Sequence, residues 1–287
     1  MPELPEVEIV KQSLEKKVIN KKINRVVIYN RNLRFKIDKN LEKNIKNKQI
    51  VDISRKSKYL IIHLNEGKFL VIHFGMSGTL HLSNNKFSNK ITNLSFYNKQ
   101  RLPKKHNHIV FFFSKFKLIY NDPRRFGFVK LLSSDQELKS FSRKYGPEPM
   151  DASFNFNYLK KKIKGSKKKI KNLLLDQKFI SGIGNIYASE ILNYSKINPM
   201  KLSSKLNNNE INNIIFYTKK VLARSIRIGG TTINNFKSIK GGRGSYQKEF
   251  RAYDRERKGC KNKLCIGTII RLIISNRSTY MCNICQN

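Results

Sequence analysis

Carboxylates are scarce in this chain: 19 Asp and Glu stand against 59 Lys and Arg over 287 residues, leaving a net charge of +40. A surface so short of negative charge suits a polyanion as partner, because each phosphate that a cation neutralises releases a counterion. Part of the excess has a simpler origin. Lys, Asn and Ile are over-used together, as in Lys160-Lys161-Lys162 and Asn207-Asn208-Asn209, which is what an AT-rich coding sequence produces. Cysteine is also scarce, and all four fall between Cys260 and Cys285. That placement argues against a disulfide framework spread over a secreted chain and for a local metal site. The start carries no charged-then-apolar leader, and no apolar run is long enough to cross a bilayer. The expectation is a soluble, cytoplasmic protein. Neither an internal repeat nor a long low-complexity tract is present.

The length suits two domains. Val7, Val10, Leu14 and Val18 recur at helical spacing and predict a helix over Glu6–Val18. From Lys22 to about Leu132 the pattern turns to short β-like runs, among them Ile23–Val27, Tyr59–Leu64, Phe69–Phe74, Ile109–Phe113, Leu118–Tyr120 and Phe126–Leu132. Many short strands with polar turns predict a sandwich or barrel-like first domain. The polar, basic stretch Asn84–Lys105 reads as a long loop. Gly146-Pro147-Glu148-Pro149 is a breaker cluster that marks a linker. Beyond it helical periods return, over Tyr158–Lys164, Lys168–Leu175, Tyr187–Leu192 and Ile211–Ile228, before Gly-rich turns and short β runs around the cysteines.

Two features carry chemistry by themselves. The chain opens Met1-Pro2-Glu3-Leu4-Pro5-Glu6-Val7-Glu8. Met1 precedes a small residue, so trimming is expected to expose Pro2 as a free secondary amine. An α-amino group titrates near ~8 against ~10.4 for lysine, so more of it is neutral and nucleophilic at pH 7. Such an amine can form a Schiff base with an electrophilic carbon, with Glu3 beside it to shuttle protons. Taken alone, the plainer reading prevails: the prolines stiffen an exposed terminus and the acids start a helix at Glu6. The cysteines read Cys260-x4-Cys265-x16-Cys282-x2-Cys285. Two close pairs separated in this way can bring four thiolates onto one tetrahedral zinc; four independent buried thiols are the plainer alternative. A small hairpin such as Arg271–Tyr280 cannot build its own core, so a metal would stabilise it.

Three further segments are Val71-Ile72-His73-Phe74-Gly75-Met76-Ser77-Gly78, Asp122-Pro123-Arg124-Arg125-Phe126-Gly127 and Gly182-Ile183-Gly184-Asn185-Ile186-Tyr187-Ala188-Ser189-Glu190. With Pro2-Glu3-Leu4-Pro5-Glu6 and the cysteines in collinear order, the chain from Pro2 to Cys285 resembles the bacterial formamidopyrimidine-DNA glycosylases. These bifunctional enzymes excise oxidised purines such as 8-oxoguanine and cut the strand at the resulting abasic site. The resemblance implies an α+β fold: an N-terminal β-sandwich with flanking helices, then a helix–two-turn–helix domain with a C-terminal zinc-finger β-hairpin. The corresponding boundaries are a catalytic sandwich at 1–133, a linker at 134–150, a DNA-binding helical domain at 151–230, and a lesion-covering loop with the zinc finger at 231–287. It further implies one structural Zn2+ on the four cysteines. The partner is double-stranded DNA carrying oxidised bases or abasic sites, the protein a monomer, and its place the bacterial nucleoid.

Carried onto matching positions, the family's roles make Pro2 the nucleophile at C1′ and Glu3 the general acid–base. Lys58, His73, Asn185 and Arg277 would clamp phosphates around the lesion, with Arg125 and Lys167 as further DNA contacts. Without the family, Lys58 would read as a solvated lysine and His73 as a satisfied core histidine. Asn185 would read as an N-cap, in a glycine turn whose helix N-terminus favours anions. Met76, Arg124 and Phe126 would enter the space left by the flipped nucleotide, with Arg124 facing the orphaned cytosine. A core Met and a core Phe are the commoner fates of those types. Glu6 and Glu190 would lie near the lesion pocket, and Thr231-Thr232 with Gly241-Gly242-Arg243-Gly244 in the loop over the oxidised base.

The chain departs from the family pattern in places. The first cysteine pair is spaced x4 where the family has x2, and Tyr253-Asp254-Arg255 replaces Tyr-Gly-Arg. Asn107 and Asn235 stand where aspartate is common, and the loop between Ser83 and His106 is longer. Two other functions compete with the first: an endonuclease VIII-like glycosylase for oxidised pyrimidines, and a non-catalytic zinc-bearing nucleic-acid-binding protein.

Overall fold

The computed structural model describes residues 2–84, 91–92, 104–231 and 245–287. These form two compact units, one running up to Arg143 together with Ile228–Ser245, the other comprising Lys144–Arg227 and Tyr246–Asn287. Among the described residues, no helix is long and apolar enough to cross a membrane.

The first helix, α1, spans Leu4–Val18 and starts two residues earlier than its apolar period suggests, with Glu3 at its N-cap. Pro5 thereby falls in the first turn, where a backbone N–H would have no helical partner in any case. The predicted stripe is buried as Val7, Val10, Leu14 and Val18. After it come β1 (Arg25–Ile28), α2 (Leu41–Ile45), β2 (Ile50–Lys56), β3 (Tyr59–Leu64), β4 (Lys68–His73), β5 (Thr79–Asn84), β6 (Ile91–Thr92), β7 (Asn107–Phe112), β8 (Phe116–Asn121), β9 (Phe128–Leu132) and α3 (Asp135–Arg143). The strands make two antiparallel sheets, ordered β1-β7-β8-β5-β6 and β2-β3-β4-β9.

Both sheets feed one core. Leu60, Ile62 and Leu64 of β3 join Leu70 and Ile72 of β4, Phe111 of β7, Leu118 of β8 and the stripe of α1. The intervening residues Ile61 and Val71 face a second small core with Phe69, Phe128 and Leu132, capped by Leu138 and Phe141 of α3. Strands β3 and β4 are thus covered on both faces, which is why they read as continuous apolar runs.

Several expectations need amendment. β9 begins at Phe128, two residues later than predicted, because Asp122–Gly127 is a turn. Strands β2 and β5 fall inside the stretch read as β-like but outside its named runs, whereas the helices α2, α3 and Tyr246–Glu249 lie where no helical period is predicted. The loop expected over 84–105 starts with the last residue of β5 and contains a two-residue strand paired with β5 and the start of a 3-10 turn at Lys104–His106; residues 85–90 and 93–103 lie outside those described. The same holds for Asn235 and for the Gly241–Gly244 loop. The stretch 134–150 carries α3, followed by Gly146, whose amide donates to the Gln177 carbonyl at 2.8 Å.

The second unit consists of α4 (Phe156–Ile163), α5 (Ile170–Leu175), α6 (Asn185–Ser195), α7 (Asn208–Arg227), α8 (Tyr246–Glu249), β10 (Ile269–Ile274) and β11 (Arg277–Cys282). Asn155 caps α4 by accepting the Tyr158 amide at 3.0 Å. Helix α6 is buried from Ile186 to Asn193 and packs on α5, α7 and β11. The β10–β11 hairpin turns through Ser275 (φ 48°) and Asn276 (φ 56°), the paired positive φ of a tight two-residue connection.

Candidate active site and metal centre

At the head of the first unit Pro2 is buried, and Glu3 and Glu6 are 3% and 1% exposed. Glu3 and Glu6 form a reciprocal capping box, in which the Glu3 amide donates to Glu6 Oε2 at 2.9 Å. The other oxygen of Glu6 accepts the Thr231 amide at 3.0 Å and its hydroxyl at 2.9 Å. Glu6 therefore joins the first turn of α1 to the residue at which the described chain stops before 232–244.

Lys58 sits in the two-residue turn between β2 and β3 and is buried, despite its charge. Across the next register pair, Tyr59 faces His73, their rings 4.9 Å apart, and the imidazole also stacks on Phe128 at 5.5 Å. Burial drives the His73 pKa down to about 4, with the Lys58 and Arg34 charges adding to it. The ring is thus neutral at pH 7. Its Nδ1 accepts the Gly75 amide at 3.1 Å, so the proton resides on Nε2, which is left as a donor.

Asp122 organises the two turns beyond His73. It is fully buried; Oδ2 accepts the Gly127 amide at 2.8 Å and Oδ1 the Ser77 hydroxyl at 2.5 Å. Ser77 Oγ accepts in turn from the Arg124 amide at 3.1 Å. Burial and the adjacent Asp122 push the Tyr120 phenol well above its ordinary range. The turns touch backbone to backbone. A Cβ on Gly75 (φ 55°) would lie 2.4 Å from the Phe126 carbonyl carbon, and one on Gly127 would lie 2.0 Å from Tyr120 Oη. This frame presents Met76 (48% exposed) and Phe126 (45% exposed), with the Arg124 guanidinium 4.6 Å above the Phe126 ring. Arg125 is exposed at φ 55°. A cavity of about 710 Å³ opens here, lined by Asn32, Arg34, His73, Met76 and Arg125 among others.

In the second unit, the residue capping α6 is Gly184, and Asn185 follows it as the first helical residue with its side chain turned elsewhere. Asn185 Nδ2 donates to the Ser278 carbonyl at 2.8 Å, while its buried Oδ1 has no partner among the described residues. Lys171 Nζ reaches the same carbonyl at 3.1 Å and Thr279 Oγ1 at 2.5 Å, although Lys171 is fully buried. Asn185 and Lys171 therefore anchor the strand that begins with the exposed Arg277. Lys167 is exposed. Sequence reasoning singled it out and passed over Lys171, since nothing in the run Lys167–Lys171 marks which lysine is buried. Glu190 has no exposure: it accepts the Arg251, Ala252 and Tyr253 amides at 2.8, 2.9 and 2.8 Å. Burial pushes its carboxyl up, and those three donors oppose the shift.

The cysteine sulfurs of Cys260, Cys265, Cys282 and Cys285 all lie within 4.8 Å of one another, with Cys260–Cys285 at 3.7 Å and Cys265–Cys282 at 3.5 Å. Tetrahedral zinc with Zn–S near ~2.3 Å requires S···S separations of about 3.8 Å, so the four thiols fit that ion. The x4 spacing closes through Leu264 at φ 60°, and Asp254 takes the left-handed conformation (φ 56°) that a glycine would adopt without strain. One residue of the wider spacing has an evident use. Asn262 is buried and donates its amide to Cys260 Sγ at 3.4 Å and Nδ2 to Cys285 Sγ at 2.9 Å.

A β-sandwich with a buried Pro-Glu terminus, joined in sequence to a helical unit with a four-cysteine hairpin, defines the class of helix–two-turn–helix DNA glycosylases. The formamidopyrimidine-DNA glycosylase N-terminal domain matches residues 1–129, and the formamidopyrimidine-DNA glycosylase H2TH domain matches residues 145–237. The chain belongs to the formamidopyrimidine-DNA glycosylase family. It is 40% identical over 290 residues to the formamidopyrimidine-DNA glycosylase of Wolbachia pipientis subsp. Culex pipiens (strain wPip), covering 100% of both chains. Identity is also 40% over 287 residues to that of Rickettsia bellii (strain OSU 85-389), covering 100% of this chain and 99% of the relative. Among solved structures it is similar to a Lactococcus lactis FPG variant in complex with a Fapy-dG containing DNA (TM-score 0.87, 32% identity, 100% of both chains). It is likewise similar to MutM in complex with carbocyclic 8-oxo-G containing DNA (TM-score 0.86, 33% identity, 100% of both chains).

Proposed function

We propose that this protein is a base-excision glycosylase with abasic-site lyase activity, which removes oxidised purines from double-stranded DNA. The observation that carries the reading is the buried Pro2-Glu3 pair on the capped first turn of α1, in one unit with Lys58, His73 and the Met76–Phe126 frame. The chemistry follows from those groups. The Pro2 amine bonds to C1′ of a nucleotide rotated out of the stack, and the glycosidic bond breaks as the base leaves with its electron pair and takes up a proton. Nitrogen donation with opening of the sugar ring gives an iminium, with Glu3 positioned to pass the proton to the ring oxygen. Loss of a C2′ proton then expels the 3′ phosphate, and continued elimination expels the 5′ phosphate.

Lys58 and the Nε2–H of His73 supply a cation and a neutral donor for backbone phosphates; Arg125, Arg277, Lys167 and Asn185 extend that set. Met76 and Phe126 fill the vacated stack, with Arg124 offering donors to the unpaired cytosine. Glu6 acts at the lesion pocket by holding Thr231, the start of the segment expected over the base. Glu190 acts through the 251–253 backbone that it fixes. Cys260, Cys265, Cys282 and Cys285 would hold one zinc, which when bound contributes folding energy to the hairpin bearing Arg277.

The test is borohydride trapping on a duplex carrying one 8-oxoguanine opposite cytosine, with a thymine-glycol duplex in parallel. We expect a covalent adduct on the 8-oxoguanine strand that is lost in Pro2→Gly. Preference for thymine glycol would move the enzyme to pyrimidine lesions, and tight binding without any adduct would make it a binding protein.

A further inference from the structure

The turn that carries Lys58 is conformationally costly. Ser57, its first residue, adopts φ 56° while only 1% exposed, a left-handed conformation that is unfavourable for a residue bearing a side chain. Such a conformation persists only where its surroundings hold it. One side chain does so visibly: Arg55 Nη1 donates to the Ser57 carbonyl at 2.9 Å. The same guanidinium donates through Nε to Glu8 Oε2 at 2.9 Å, with both side chains largely shielded, at 11% and 16% exposure. Burial works to raise the Glu8 carboxyl, yet Arg55 and Lys11 outweigh it and keep it below its ordinary value. Glu8 lies on α1, five residues beyond its N-cap Glu3.

We infer that the Glu8–Arg55 pair is a positioning device that fixes the Lys58 turn to the helix bearing Pro2 and Glu3, and so sets Lys58 against the reacting nucleotide. Neither residue touches DNA in this scheme. Their effect passes through Lys58, and the inference rests on the glycosylase reading above. Arg55 is suited to the task because its planar fork serves two separate acceptors in a fixed geometry, which the single, rotatable ammonium of lysine does not impose.

The experiment is single-turnover excision of 8-oxoguanine by wild type, Arg55→Ala, Arg55→Lys, Glu8→Gln, Lys58→Ala and the Lys58→Ala/Arg55→Ala double variant. Lys48→Ala, which removes an ion pair with Glu66 elsewhere in the same unit, is the control. Misplacement of a catalytic group by about 1 Å costs on the order of 100-fold. Arg55→Ala should therefore slow excision by about that factor at unchanged half-saturating DNA. Arg55→Lys and Glu8→Gln should fall between it and wild type, and Lys48→Ala should match wild type. In the Lys58→Ala background, Arg55→Ala should cause no further loss. Wild-type rates in Arg55→Ala, or an undiminished extra loss on top of Lys58→Ala, would overturn the inference. If Arg55→Ala does not fold, Arg55→Lys and Glu8→Gln in the two backgrounds decide the same question. A wild type that neither excises nor traps would sink the glycosylase reading instead.

Discussion

His73 shows what a single side chain gains from its setting. Its environment holds the ring neutral, and its unfolded value of 6.5 drops to about 4 in the fold. The unfolded chain therefore takes up the proton first. Stability from this group is complete above pH 6.5, declines as pH falls, and is fully lost below about pH 4, a change of about 3 kcal/mol. Replacing His73 with Gln should flatten the urea-unfolding free energy between those pH values, and an unchanged acid slope would contradict the assignment. His73, Lys58 and Pro2 stand out in the sequence as candidates only through segments that resemble the family; by residue type alone Lys58 reads as a solvated lysine and His73 as a core histidine. The side chains that brace the turns, the hairpin and the cysteine cluster do not stand out in it. Asp122, Lys171 and Asn262 are polar residues of ordinary type, whose value comes from partners far away in the chain: Asp122 with Ser77, Lys171 with Thr279, Asn262 with Cys285. No local pattern marks such pairings in advance.

Elements were legible in proportion to how clean their periodicity is. Strand β3 and helix α1 declared themselves through apolar runs that the core then buries. Strand β2 did not, since a bulge between Ile50 and Asp52 breaks its alternation and only Ile50 and Ile53 are buried. Helix α3 is a short helix with only Leu138 and Phe141 packed against the core and none of its residues fully buried, too brief a period to stand out. The cysteine hairpin gave the opposite case: the spacing pointed to a metal, and the sulfurs converge as required. Here Asn262 is the residue to test. N–H donors to thiolates stabilise their charge and orient them, and partners of this kind are worth about 10–100-fold in metal affinity. Asn262→Ala should therefore release zinc to a chromophoric chelator about 10–100-fold more readily, while full retention would make the contact incidental.

At the scale of the whole molecule, the charge of +40 raises the question of how many cations matter. Phosphate contacts declare themselves in salt dependence, because each one adds about 0.9 to the slope of log K against log salt. Arg277→Ala should lower that slope by about one and weaken binding to lesion-bearing and undamaged duplexes alike. An unchanged slope would remove Arg277 from the set. A lysine supplied by coding drift, with no phosphate opposite it, would leave the slope untouched when replaced.

The few carboxylates behave differently from the many lysines. Glu6, Asp122 and Glu190 are each buried, and each is spent on the backbone amides of a loop: Thr231, Gly127, and the run Arg251–Tyr253. A buried amide that loses its acceptor costs about 1–3 kcal/mol, and Glu190 serves three of them. The tolerance of this gene to mutation is consequently lopsided. Lineages can accumulate lysine on the surface for long periods at little cost, whereas a single change at Glu190 would remove the support of the segment leading to the cysteines. Selection on so basic a chain would therefore be read most clearly in the acids it has kept.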